Sequence, residues 1–221
     1  MSAALKSGRL RASLVALLLV SAAFLSGANS AGAGTVGLVG GGAYGTSVNV
    51  QPVVGPAVTY GPAPSVTLPP AGGGPFTASL VSLVLPGLVE TKAQSVSTQG
   101  ALGPSGFATS SAQAATLSAA GGAVKASLVG TSCRIDSAGN TTGTSSFAAL
   151  TVLGHSVSAS PPPNTTVPLP GVGTLTLNEQ TTTTGPGGLR SITVNAVHLH
   201  LAGTLGNGDI IVSQSRCTAR I

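Results

Sequence analysis

Residues 174–201 read TLTLNEQTTTTGPGGLRSITVNAVHLHL. Two alternating runs flank Gly185-Pro186-Gly187-Gly188, a turn signal between two strands, so the segment reads as a β-hairpin. Placing Thr184 opposite Leu189 sets Leu175 against His198, Leu177 against Ala196 and Glu179 against Val194. Side chains alternate between faces along a strand. Leu175, Leu177, Ile192, Val194 and Ala196 then share a buried face, and Thr176, Asn178, Gln180, Thr193 and Asn195 a wet one. On this register His198 and Glu179 fall on the apolar side. Beyond Val197 the pattern inverts, because Val197, Leu199 and Leu201 lie on the otherwise polar face; a bulge or burial on both faces would account for it. A last strand, 209–215, is expected after a Gly206-Asn207-Gly208 turn.

Working outward, the rest of the chain has the same grammar. Apolar or β-branched runs at 80–85, 88–98, 109–119, 124–135 and 145–159 are each closed by Gly, Pro, Asp or Asn. Regular short strands punctuated in this way indicate an all-β fold, an antiparallel β-sandwich ending in the hairpin. Residues 34–50 read as a Gly-rich entry strand. Pro52, Pro56, Pro62, Pro64, Pro69, Pro70 and Pro75 then make 51–75 a loop, an edge segment or a linker, since interior strands do not tolerate that density. The organisation expected is a Gly/Pro-rich segment at 34–76 and a sandwich body at 77–221, together one domain.

The first 33 residues read differently. Lys6, Arg9 and Arg11 precede an apolar run at 12–25, and a small-residue stretch ends in Ala31-Gly32-Ala33. This is the pattern of a secretory signal peptide. The run falls short of the ~20 residues of a membrane-crossing helix, so no stable membrane span is expected after cleavage. Nine basic residues oppose four acids, but Lys6, Arg9 and Arg11 lie in this segment, leaving six against four and a net charge of +2. No Lys/Arg cluster remains to follow a phosphate backbone, which argues against a nucleic-acid partner. Charged residues make up only 6% of the chain, against ~25% in ordinary domains, so the surface must be solubilised by neutral polar groups and offers little charge repulsion to a second copy. The two cysteines, Cys133 and Cys217, are expected to pair in an oxidising compartment.

Val167-Pro168-Leu169-Pro170-Gly171-Val172-Gly173 leading into 174–180, the 192–199 stretch, and Gly208-Asp209-Ile210-Ile211-Val212 resemble the choice-of-anchor P family of exported bacterial proteins. Ala43 to Val48 and Pro64 to Pro70 are similar to it as well. The resemblance implies export and association with cell-envelope or extracellular matrix components, and it implies no catalytic residues. Residues 216–221 show no sorting motif or apolar tail, which favours secretion or non-covalent wall association.

Candidate chemistry is sparse. His198 and His200 lie two apart on a strand and project to one face. With His155 they could form a three-histidine metal site; a partly buried, hydrogen-bonded His198 is the structural alternative. Of the acids beyond residue 33, Asp136 and Asp209 read as turn residues. Glu179 reads either as a core-margin carboxylate or as a paired one, with Arg190 a candidate partner, and stands several residues from His198. No nucleophile elbow, zinc-protease helix or phosphate-binding glycine loop is present. With no Trp and only Tyr44 and Tyr60, a stacking platform for sugars is nearly absent, which ranks a carbohydrate-binding module last. The expectation is a secreted or envelope-associated structural or interaction protein with no catalytic residues and no cofactor; the rival is a small metal-binding protein or metalloenzyme built on His155, His198 and His200. Terminal sequencing of the exported protein is expected to find Gly34 or Asn29 at its start; a product retaining Met1 would contradict the signal-peptide reading.

Overall fold

The computed structural model describes residues Gly34–Ile221, which belong to one compact unit; the expected signal peptide lies outside the described residues. The strands in chain order are β1 (Leu38–Gln51), β2 (Val58–Leu68), β3 (Gly73–Leu85), β4 (Val89–Ala101), β5 (Phe107–Ala119), β6 (Val124–Ala126), β7 (Leu128–Asp136), β8 (Thr141–Ala148), β9 (Thr151–Val152), β10 (His155–Ser156), β11 (Thr165–Leu169), β12 (Gly173–Gly185), β13 (Leu189–Gly203) and β14 (Gly206–Arg220). They form two antiparallel sheets. The first has the order β11-β12-β13-β14-β1-β2. In the second, β3-β4-β5 continues past β5 into β7 and β8 along one half and into β6, β9 and β10 along the other. The fold is an all-β sandwich, as the alternation indicated.

The Gly/Pro-rich segment is part of both sheets. β1 lies between β14 and β2. Pro62 and Pro64 fall in β2, an edge strand, where a missing N–H need not cost a ladder bond. Pro69 and Pro70 lie at the passage from β2 in one sheet to β3 in the other.

Several strands run to 13–15 residues, well beyond the usual ~5–6, and they change phase midway. In β13 Ile192, Val194 and Ala196 are buried, and then Val197, Leu199 and Leu201 are buried. In β14 the buried set passes from Ile210 and Val212 to Ser213, Ser215, Cys217 and Ala219. The changes are aligned. Gly45, Ser213, Ala196 and Asn178 occupy one line across β1, β14, β13 and β12 where pairing is interrupted, yet the register is the same on both sides of the line. Val81, Ala93 and Ala115 form the corresponding line in the second sheet. Asn178 (φ 50°), Ser213 (φ 55°) and Ala93 (φ 45°) take left-handed backbone there. Asn adopts that conformation with little penalty, whereas Ala and Ser need the surrounding ladder to hold them.

This inversion corrects the expected hairpin. Gly185 pairs with Leu189 and Thr184 with Arg190, one residue away from the expected register, around a Pro186–Gly188 turn with Gly187 and Gly188 at φ 65° and 73°. Leu175 therefore faces Leu199, Leu177 faces Val197, and Glu179 faces Asn195. Leu175, Leu177, Ile192, Val194 and Ala196 are all buried as expected, because the slip in register and the change of phase compensate. His198 and Glu179 move to the outer face. The second expected turn is also displaced. Gly203 pairs with Gly206 around Thr204-Leu205, so Gly206 to Asp209 belong to β14.

The core has two apolar ends. One gathers Val48, Leu117, Phe147, Leu175, Leu199 and Ile210. The other gathers Val39, Leu68, Ile135, Ile192 and the Cys133–Cys217 disulfide. Between them runs a belt of buried small and polar groups. Thr46 Oγ1 donates across the sandwich to Gln94 Oε1 at 3.1 Å, and Gln94 Nε2 donates to Thr91 Oγ1. Ser110 Oγ donates to the Arg216 carbonyl at 3.0 Å. A Cβ at residue 45 would come within 1.8 Å of Gln94 Oε1, so only glycine lets that side chain through. The disulfide joins β7 of the second sheet to β14 of the first with Cα atoms 5.9 Å apart, far inside the ~10 Å at which sheets normally stack. Nearby, a Cβ on Gly143 would stand 2.6 Å from Val194 and 2.7 Å from Ile192. The crosslink spans 84 residues, so Cys217→Ser is expected to lower the unfolding free energy by about 2–5 kcal/mol in denaturant titration, and native protein is expected to show no alkylatable thiol.

Candidate functional site

The outer face of the first sheet carries a continuous hydrogen-bonded chain. Tyr44, Gln214, Asn195 and Glu179 lie directly opposite one another on β1, β14, β13 and β12, one position from the inversion line. Gln214 Nε2 donates to Tyr44 Oη at 2.9 Å and to Asn195 Oδ1 at 2.7 Å, and Asn195 Nδ2 donates to Glu179 Oε2 at 2.5 Å. Across the line, His198 Nδ1 sits 2.9 Å from the same Glu179 oxygen, and its Nε2 sits 3.1 Å from Asp209 Oδ1. His200 Nδ1 completes the chain 2.9 Å from Asp209 Oδ1. A carboxylate only accepts, so both contacts of His198 are met together when each ring nitrogen carries a hydrogen.

The electrostatics follow from this packing. Burial, aided by the negative charge of Glu179, raises the Tyr44 phenol to about 12. For Asp209 burial opposes ionisation, but hydrogen bonds from His200 and His198 and their charge outweigh it and hold the carboxyl below its ordinary value. Asp209 is thus a strand residue in a network rather than a turn residue. Asp136 does serve a turn: its Oδ1 accepts from the N–H groups of Ala138 and Asn140. Glu179 binds Asn195 and His198 rather than the expected Arg190. His155 lies on β10 in the second sheet, apart from His198 and His200 on β13. Among the described residues, no three His, Cys, Asp or Glu side chains are placed to hold one metal ion.

The second sheet presents a different outer surface. Thr77, Ser97, Ser111, Ser132 and Thr144 stand in register across β3, β4, β5, β7 and β8. Ser79, Ser95, Gln113, Gly130 and Ser146 form the next row. A third row runs Gln99, Thr109, Arg134, Thr142. The intervening Val96, Ser110, Ala112 and Cys133 point into the sandwich and are buried. A trough of about 390 Å³ lies over Thr77, Ser79, Ser95, Ser97, Ser111 and Gln113. A second, about 260 Å³, lies over Thr109, Ser132, Arg134, Thr142 and Thr144. Arg134 is the one charged residue in these rows, and its guanidinium stacks on Phe107 at 4.7 Å. Sequence reasoning missed this face. Its signal was the hydroxyl at every second residue in Thr77-Ala78-Ser79, Ser95-Val96-Ser97, Thr109-Ser110-Ser111 and Thr142-Gly143-Thr144-Ser145-Ser146.

The chain matches no protein-family model, and comparisons with curated proteins and with solved structures return no match.

Because the Asp209 carboxyl is held below its ordinary value in the folded protein, it contributes stability above its unfolded pKa, and that contribution is lost as pH falls through the folded one. The stability difference between wild type and Asp209→Asn, read from urea midpoints, is expected to shrink as pH is lowered from about 6 to about 3. A difference independent of pH would show that the histidine contacts do not stabilise the ionised carboxylate.

Proposed function

We propose that this is an exported, non-catalytic interaction module that binds a neutral, polyhydroxylated polymer of the cell envelope or extracellular matrix through the outer face of its second sheet. The observation that carries the reading is the registered array of Ser, Thr and Gln side chains over two troughs. Each hydroxyl both donates and accepts, and each amide does so with separate atoms, so the face suits a partner whose surface is itself made of hydroxyls. Neighbouring strands stand ~4.8 Å apart, close to the advance of one sugar unit along an extended glycan, so a chain lying across the strands would meet one row position per unit. The near absence of charge disfavours an anionic polymer. Hydroxyl rows would here take the place of the aromatic platform the sequence lacks. The resemblance to choice-of-anchor P proteins and the signal-peptide pattern support an extracellular setting.

The carboxylate–histidine chain supports a structural role for the other face. It lies on an open sheet, and both nitrogens of His198 are engaged by carboxylates. Metal binding by His198 and His200 is the rival reading; it has only the two histidines on one face to support it, and an ion would have to displace the carboxylate contacts of both. A zinc- or copper-dependent rise in melting temperature, lost in His198→Gln, would support it, because a ligand of the folded state alone stabilises that state.

The test of the main reading is co-sedimentation of the mature protein with insoluble neutral glycans and with an anionic one. Retention on a neutral glycan is expected, with at least tenfold weaker binding by Ser97→Glu/Ser111→Glu and unchanged binding by His198→Gln. Retention on none, or equal retention of the glutamate variant, would refute it.

A further inference from the structure

A sandwich has four exposed edges, and edge strands carry unpaired backbone groups that attract another strand unless they are blocked. Three edges here are obstructed in whole or in part. On the first sheet, β2 contains Pro62 and Pro64, and β11 is only five residues long and contains Pro168, leaving residues 181–184 of β12 as a short uncovered stretch. At the far side of the second sheet, β10 has two residues, the Gly143 carbonyl of β8 accepts from Gln180 Nε2 at 3.0 Å, and the Phe147 N–H donates to the Ala159 carbonyl at 2.8 Å.

The fourth edge, β3, is open. It pairs with β4 on one side, and among the described residues no backbone group of 76–84 is bonded on the other. Residues 76–85, FTASLVSLVL, contain no charge and no proline. Val81 is 85% exposed and Val84 56%. Pro75 and the irregular pairing beside it guard the start of β3, but from Phe76 onward the edge has no lysine, no proline and no covering loop.

We propose that two copies of this protein pair antiparallel along β3 and join their second sheets into one continuous sheet. The occupant is a second copy because antiparallel pairing of a strand with itself sets the segment against its own residues, and a segment without charge meets no repulsion on doing so. The contact is isologous, so each copy's β3 edge is used up by the other's and the assembly closes at two copies. Pairing also covers Val81 and Val84. It sets Thr77 against Leu83 of the second copy, so the hydroxyl rows of the two copies lie offset on one continuous outer face. Both hydroxyl faces then lie on the same side of the joined sheet, and two linked sites bind with an avidity that neither has alone. The pairing itself does not depend on what the face binds.

The mature protein, without any glycan, is examined by light scattering and sedimentation equilibrium over a wide concentration range. A dimer is expected for wild type, for Val81→Thr and for the β2-edge variant Thr59→Lys, and a monomer for Val81→Lys. Hydrogen exchange in wild type is expected to show amides of 76–84 becoming more protected as concentration rises, which reads the edge even if a variant folds poorly. A monomeric wild type at all concentrations, a dimeric Val81→Lys, open-ended oligomers, or protection of another edge would overturn the proposal. Any of these outcomes would leave the glycan reading to its own test.

Discussion

Everything in this fold depends on the line along which its strands change phase. A strand repeats every two residues, so a long strand of fixed phase faces the core with one parity from end to end. β13 and β14 do not carry such a pattern; their buried residues are even-numbered before the line and odd-numbered after it. A bulge confined to one strand would accommodate this at the expense of register with its neighbours. Here Asn178, Ala196, Ser213 and Gly45 take the change together, so the ladders on both sides stay in register. The left-handed residues are local strain held by a structure that requires them.

The line also explains the composition of the interior. At the phase change the polar Thr46, Gln94 and Ser213 are buried among Leu177, Val197 and Val212. Thr46 and Gln94 bond one another across the sandwich over Gly45. Such pairs add little net stability when satisfied and cost far more when one partner is lost. They therefore tie the two lines to each other: a shift of one sheet relative to the other would leave Gln94 Oε1 without its donor, Thr46. Cys133–Cys217 sets the same alignment at one end of the sandwich.

The limits of the sequence reading have the same cause. Strand positions, the Gly185–Gly188 turn region and the disulfide partners were legible because they rest on local composition and on there being two cysteines. For Pro62 and Pro64 the missing N–H left a loop, an edge segment or a linker open, and the structure makes them part of an edge strand. The hairpin register was not. Leu177 and Ile192 both had to be buried, and constant alternation allowed that only with a register one residue away from the true one. The inversion at Val197 was visible, but its consequence for Glu179 and His198 was not, since it required Asn178 to flip at the same line. The two residues judged remote along the hairpin thereby became hydrogen-bonded neighbours. Asp209 was read as a turn residue because Gly206-Asn207-Gly208 resembles a turn, whereas the two-residue Thr204-Leu205 connection makes the bend. The hydroxyl rows were hidden for another reason: each strand contributes a short Ser/Thr alternation that is unremarkable alone, and only the five-strand register turns these into a surface.

Charge poverty connects that surface to the edge beside it. A domain with few ionised side chains must stay soluble through neutral hydrogen-bonding groups, and on a sheet those groups fall into rows because the ladder spaces them. A row of hydroxyls is both a hydration layer and a template for any ordered polyhydroxyl partner. The same scarcity removes the lysines that ordinarily guard an open edge, so guarding falls to proline, short strands and side-chain caps. Those devices occupy β2, β11, β10 and β8. Past Pro75 they are missing from β3, at the margin of the hydroxyl face, and that stretch is the longest edge left without them.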